Sequence, residues 1–268
     1  MVANGKMSVG IGGFGAIGMA VARALDDGSI PGMRLVAVSA NDKSAAAGRM
    51  KDYASAVPVM GLAALADTSD IVIECAPSHV FREVAEAAIE KGRVFMPLSC
   101  GQLLDHMDLV ARAEETGARI VVPTGALLGL DAVRGAAEGE IESVTMVTRK
   151  PPSGLAGAPH LVQNNIDVSD LSEPLMIFDG SARGAVKGFP ANVNVAVALS
   201  LAGIGPDRTT IQVWADPGVT RNTHTIKVEA DSVRFEMTIE NVPSVENPRT
   251  GALTPLSTIA ALRGFVQP

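Results

Sequence analysis

The chain has 268 residues, 47% of them hydrophobic and 19% charged, which is enough apolar material to fold as one large domain or two modest ones. Twenty-two Lys and Arg against twenty-nine Asp and Glu give a net charge of −7, and only 3% of residues are aromatic. Without a basic run or stacking aromatics, the composition argues against nucleic-acid and anionic-membrane binders.

In chain order, Ser8–Gly12 is a short apolar strand followed by a helix with Ile17, Val21 and Leu25 at a spacing of four. Arg34–Ala40 and Asp70–Cys75 read as further buried strands. Ser78 is the expected N-cap of a helix that buries Phe81, Val84 and Ala88 and ends at Gly92. Arg93–Leu98 is the next strand. A helix from Gln102 is expected to bury Leu103, Met107, Val110 and Ala111, with Gly117 stopping it before the strand Arg119–Val122. This alternation predicts a doubly wound Rossmann-type parallel sheet.

After Pro123 the pattern changes to period two. Ile141–Arg149 places Val144, Met146 and Thr148 on one side, and Thr210–Ala215 turns Ile211, Val213 and Ala215 inward. Thr223–Glu229 and Val233–Asn241 flank an Ala230-Asp231-Ser232 turn, with His224, Ile226 and Val228 on one face and Val233, Phe235, Met237 and Ile239 as the facing set. Helices are expected at 182–189 and 193–202. The uncharged stretch 188–206 contains Pro190, Asn192 and Asn194, so it reads as a buried helix with its loop and not as a membrane span. The predicted fold is therefore α/β: residues 1–123 form a dinucleotide-binding domain, and 124–250 a catalytic and dimerisation domain of mostly antiparallel sheet covered by helices. Residues 251–268 supply a C-terminal helix packed back on the first.

The strongest local motif is Gly13-Phe14-Gly15-Ala16-Ile17-Gly18, a G-x-G-x-x-G after a strand and opening a helix. Gly13 serves the tight turn, Gly15 lets the backbone approach a pyrophosphate, and Gly18 lets the helix close on the strand. Ala16 and Ile17 stand in the first helical turn, whose amides and dipole favour phosphate. At the tip of the second strand Asn41 is the candidate for the adenosine ribose, while Lys43 or Arg49 could hold a phosphate. NAD is the expected cofactor, with NADP left open. The loops Cys75-Ala76-Pro77 and Ser99-Cys100-Gly101 follow strands at the ligand-binding edge of such a sheet. Cys75 and Ala76 are accordingly cofactor candidates, although the cysteines themselves read as small apolar fillers. The two cysteines support neither a disulfide framework nor a four-cysteine zinc site, and no metal is expected. The N-terminal sequence shows no secretory pattern, which suggests a cytoplasmic protein. Of four histidines, His224 alone shares an apolar strand face, beside a polar cluster of Asp216, Thr220, Arg221, Asn222 and Thr223. Position alone favours a satisfied core histidine over a catalytic one, and the polar cluster weakens that reading without overturning it.

Several blocks resemble the L-aspartate dehydrogenase family: Phe189-Pro190-Ala191-Asn192-Val193-Asn194-Val195-Ala196, the run Ala215-Asp216-Pro217-Gly218-Val219-Thr220-Arg221-Asn222-Thr223-His224, Pro123-Thr124-Gly125-Ala126, Thr148-Arg149-Lys150-Pro151-Pro152 and Glu240-Asn241-Val242-Pro243-Ser244. The resemblance spans nearly the whole chain. It implies a homodimer catalysing reversible NAD(P)-dependent deamination of L-aspartate, through iminosuccinate, to oxaloacetate and ammonia, with the imine feeding NAD biosynthesis. It also implies that His224 is the active-site residue and that Ala126 and Asn192 bind NAD. Arg149, Lys150, Arg221 and Asn194 are candidate ligands for the two substrate carboxylates, by charge or amide geometry. The chain departs from the family at Gly101-Gln102-Leu103-Leu104-Asp105, where G-A-L-A-D is common, and lacks the acidic second-strand tip of some members. Two rival readings are a related oxidoreductase acting on another imine or amino acid, and a dinucleotide-binding sensor without turnover.

Overall fold

The computed structural model describes residues 5–190, 194–244 and 251–266. The chain forms two compact units, one made of residues 1–123 with 254–268 and the other of residues 124–253.

The first unit is built on β1 (Met7–Gly12), α1 (Ala16–Asp26), β2 (Met33–Ser39), α2 (Lys43–Arg49), β3 (Val59–Met60), α3 (Leu65–Thr68), β4 (Ile71–Glu74), α4 (Phe81–Glu90), β5 (Val94–Pro97), α5 (Met107–Thr116) and β6 (Arg119–Ile120). All strand pairs are parallel, in the order β3-β2-β1-β4-β5-β6, the doubly wound order of dinucleotide-binding sheets. Helices cover both faces of such a sheet, so its central strands are buried along nearly their whole length instead of alternating. Val9, Ile11, Ile71 and Ile73 are fully buried. Strand order reverses between β1 and β4, where Gly12 pairs with Glu74. The loops after these two strands therefore meet at the switch point, the place where open α/β sheets bind ligands.

Two expected helices are corrected. Ser78 does not cap: residues Ser78–Val80 form a 3₁₀ turn, with the Val80 amide donating to the Pro77 carbonyl at 3.1 Å, and α4 starts only at Phe81. Its buried face includes Phe81, Val84 and Ala88, and Gly92 follows at φ +62°. From Cys100 to Asp105 the chain is again 3₁₀, interrupted at His106 before α5. That break shifts the helical phase. Leu109 and Ala113 face inward, while Met107 is 49% exposed and Ala111 is exposed.

The second unit contains α6 (Leu130–Ala137), β7 (Ile141–Lys150), α7 (Pro159–Gln163), β8 (Leu175–Ser181), α8 (Ala182–Gly188), α9 (Asn194–Ala202), β9 (Thr209–Ala215), β10 (Thr223–Ala230) and β11 (Arg234–Glu240). Its sheet runs β11-β10-β7-β9-β8. Only β7 and β9 are parallel; the other neighbours are antiparallel. Period two is strict on the second half of β7, where Val144, Met146, Thr148 and Lys150 are buried and the residues between are not. The edge strand β8 has a weak sequence signal: of its seven residues only Ile177 is buried, and its apolar run ends at Asp179. On β11 the expected facing set is shallow, with Ile239 buried but Val233, just before the strand, 41% exposed.

The last helix, α10 (Leu253–Arg263), brings Leu262 into the core of the first unit with Val9, Ile11, Val21 and Ile30, and Ile259, Phe265 and Val266 pack around it. Arg263 donates to the Ser29 carbonyl at 2.9 Å. Among the described residues no helix is long and apolar enough to cross a membrane.

Candidate functional site

In the first unit the glycine turn leaves β1 at Gly13, whose φ of +103° suits glycine. A Cβ on Gly13 would overlap the Cys75 carbonyl, and one on Gly18 would overlap the Gly13 carbonyl. These two glycines thus serve the close packing of β1, α1 and the loop after β4. Gly15 differs: a Cβ there would meet no protein atom within 4 Å. Gly15 is also the N-cap of α1, and no side chain caps the helix. The amides of Ala16, Ile17 and Gly18 lack partners within the helix. An open approach beside uncapped, dipole-oriented amides fits the pyrophosphate of a dinucleotide.

Around this turn, Arg49 of α2 donates to the Phe14 carbonyl at 2.8 Å. Asn41 is exposed at the tip of β2, while Asp42 is engaged as the N-cap of α2, accepting from the Ala45 amide at 2.9 Å. The Cys75 thiol donates to the Gly13 carbonyl at 3.0 Å. Burial, and secondarily the Glu74 carboxylate, push its pKa far above the ordinary thiol value, so Cys75 packs the turn and is no nucleophile at neutral pH.

Sequence reasoning missed Glu74. It ends β4 fully buried, and its carboxylate accepts from the Ala76 amide at 2.9 Å, the Ser99 amide at 3.0 Å and the Ser99 hydroxyl at 3.1 Å. The available signal was an acid closing an otherwise apolar strand, Ile71-Val72-Ile73-Glu74. Burial raises its pKa to about 7, and the hydrogen bonds from Ser99 and Ala76 pull it the other way.

In the second unit His224 is 3% exposed and lies opposite Thr148 in the β10–β7 pair. Its Nδ1 is 3.1 Å from the Thr148 hydroxyl. Burial, with the nearby Lys150 ammonium as the second cause, lowers the imidazole pKa to about 3, so without substrate the ring is neutral. Lys150 shares the inward register of Thr148, is 5% exposed, and is lowered by burial to about 8. Thr148 was readable as inward-facing but not as a partner of His224. Polar residues at alternate positions on an apolar face were the signal.

Lys150 opens onto a cleft of about 510 Å³ that Leu155, Pro190, Arg221 and Asn222 also line. Two cations in one concavity suit an anionic substrate. A larger depression of about 740 Å³ lies over Leu161, Val162 and Ile166, and its sole ionisable lining group among the described residues is Asp167. Arg149 lies on the other face of β7: it donates to Asp216 at 3.0 Å and stacks 4.7 Å from the Trp214 ring centre. It does not join the His224 cluster. Ala126 is half-buried in a turn closed by the Leu127 amide donating to the Thr124 carbonyl at 3.1 Å. Asn194 is exposed at the start of α9. Asn192 lies outside the described residues.

Residues 131–265 match the family model described as aspartate dehydrogenase, C-terminal, and residues 13–123 match that of the homoserine dehydrogenase NAD-binding domain. An L-aspartate dehydrogenase of Bradyrhizobium diazoefficiens is 54% identical over 97% of this chain and 92% of its own length. L-aspartate dehydrogenase 3 of Bordetella bronchiseptica is 50% identical over 100% of this chain and 98% of its own. Among solved structures, aspartate dehydrogenase of Thermotoga maritima superposes with a TM-score of 0.74 at 23% identity, covering 97% of both chains. A scyllo-inositol dehydrogenase of Lactobacillus casei does so with a TM-score of 0.58 at 12% identity, over 99% of this chain and 89% of its own; these two likenesses speak to fold alone. With two relatives at or above 50% identity over nearly its full length, the chain belongs to the L-aspartate dehydrogenase family.

Proposed function

We propose that the chain is an NAD(P)-dependent L-aspartate dehydrogenase, converting L-aspartate through iminosuccinate to oxaloacetate and ammonia, reversibly. The observation that carries this is a neutral, buried His224 beside Lys150 on the inward face of β10 and β7, in a chain of this family whose first unit fits a dinucleotide. Gly13, Gly15, Ala16, Ile17 and Gly18 would hold the pyrophosphate, with Asn41 toward the adenosine ribose and Cys75 and Ala76 along the strand edge. The resemblance adds Ala126 and Asn192. When bound, the dinucleotide supplies the acceptor for the hydrogen lost with its electron pair from the aspartate α-carbon.

The chain's own residues have three tasks. Lys150 and Arg221 meet the two substrate carboxylates in the cleft of the second unit, with Asn194 as an amide candidate. Arg149, held by Asp216 and Trp214, braces the strand instead. With Nδ1–H directed at the Thr148 hydroxyl, 3.1 Å away, His224 would keep its lone pair on Nε2, the tautomer a base requires. Nε2 then takes a proton from the water that attacks the imine carbon and returns it to the departing amine. A bound dicarboxylate offsets the Lys150 charge and raises the basicity of the imidazole in the complex.

Engagement of Asp42 as a helix cap and the presence of Arg49 beside the glycine turn support acceptance of both NAD and NADP. Two cysteines are too few for a disulfide framework and suit a reducing cytoplasm, and the family resemblance supports a homodimer whose imine product enters NAD biosynthesis. His224→Ala should lower kcat by about 10²-fold or more, the usual contribution of a positioned acid–base group, with NADH affinity retained. Near-normal turnover in a folded variant removes His224 from the mechanism.

A further inference from the structure

We infer that Glu74 is a positioning residue for the cofactor site, its carboxylate bracing the two switch-point loops against the glycine turn. The inference rests on the first unit binding the dinucleotide. Glu74 is the last residue of β4, paired with Gly12 on one side and Pro97 on the other, at the edge where three chain segments separate. One carboxylate oxygen accepts from the Ala76 amide and the Ser99 hydroxyl, and the other from the Ser99 amide. One buried group thereby ties the loop after β4 to the loop after β5. The first of these loops is the wall behind the glycine turn: the Cys75 amide donates to the Gly12 carbonyl at 2.8 Å and the Cys75 thiol to the Gly13 carbonyl at 3.0 Å. The space a Gly13 Cβ would need is filled by the Cys75 carbonyl and the Ala76 amide nitrogen.

The chain of interactions runs from Glu74 through Ala76 and Cys75 to Gly13. Ala76 and Ser99 contribute fixed backbone N–H donors that approach different oxygens of the carboxylate, so both oxygens serve as acceptors. Glutamine in its place turns an NH₂ group toward one of these donors and leaves a buried amide unpaired. Burying a carboxylate this completely is costly unless its hydrogen bonds are made, and here its neighbours supply all three.

The test compares wild type, Glu74→Gln and Ser99→Ala in the full-length protein. NADH affinity is read by nicotinamide fluorescence without amino acid, and backbone amide exchange over 75–77 and 98–101 without any ligand. Glu74→Gln should weaken NADH binding about tenfold, the equivalent of one buried hydrogen bond, and speed exchange in both segments. Its kcat at saturating cofactor and its KM for aspartate should stay within about twofold, a split that general loss of folded protein does not produce. Ser99→Ala, which removes only the hydroxyl donor, should weaken NADH binding by about two- to fourfold. Unchanged NADH affinity with unchanged exchange in Glu74→Gln overturns the inference. If that variant does not fold, unchanged NADH affinity in Ser99→Ala overturns it. Because NADH binding is measured without aspartate, an inert but NADH-binding wild type would sink the dehydrogenase reading while leaving this comparison intact.

Discussion

At the scale of single residues, pH gives the sharpest handle on His224. Its folded-state pKa is lowered from 6.5 to about 3, so between those values the unfolded chain binds a proton that the folded chain does not. Stability contributed by the neutral buried ring is present above pH 6.5 and is lost progressively as pH falls toward 3. Glu74 acts with the opposite sign: its pKa is raised from 4.5 to about 7, so its burial cost is relieved as pH falls through that window. Chemical denaturation of wild type and His224→Asn across pH 7 to 4 should therefore show the wild-type advantage shrinking steadily with acidity. Parallel curves would mean the ring is not buried as described. His224 was legible from sequence because period two sets it on a face with Ile226 and Val228, and Thr148 and Lys150 follow the same rule on β7. Glu74 was not. An acid at a strand end has many solvated precedents, and its three donors come from residues 76 and 99, which only the tertiary fold brings together.

At the scale of elements, the two glycines of the turn separate packing from binding. Gly13→Ala strains a backbone at φ +103° and drives a Cβ into the Cys75 backbone, so thermal stability and NADH binding should fall together. Gly15→Ala adds a methyl into space that no protein atom occupies, so its melting temperature should stay near wild type while NADH affinity falls about tenfold, the equivalent of one hydrogen bond to the pyrophosphate. Equal NADH affinity in Gly15→Ala would move the phosphate site elsewhere. The strand–turn–helix around these glycines was readable because motif and periodicity agree. Where local signals conflict, the reading failed: Pro77 turns Ser78 into a 3₁₀ corner, and the break at His106 rephases α5. The edge strand β8 carries too little buried surface to declare itself.

At the scale of the molecule, the first unit is discontinuous, closed by a helix that follows the whole of the second unit in sequence. Leu262 is fully buried in the first unit's core, so Leu262→Ala should lower the unfolding free energy by about 2–5 kcal/mol, as for other buried leucines. A denaturant midpoint equal to wild type would contradict that packing. The central claim is the reaction itself, and one assay addresses it: purified protein with L-aspartate and NAD⁺ or NADP⁺ at mildly alkaline pH, and with oxaloacetate, ammonium and reduced cofactor in the reverse direction, followed by nicotinamide absorbance. We expect aspartate-dependent reduction and ammonium-dependent oxidation, with homoserine and cyclic imines far poorer substrates. NADH binding without turnover in either direction, or a clear preference for another amino acid or imine, would contradict the account.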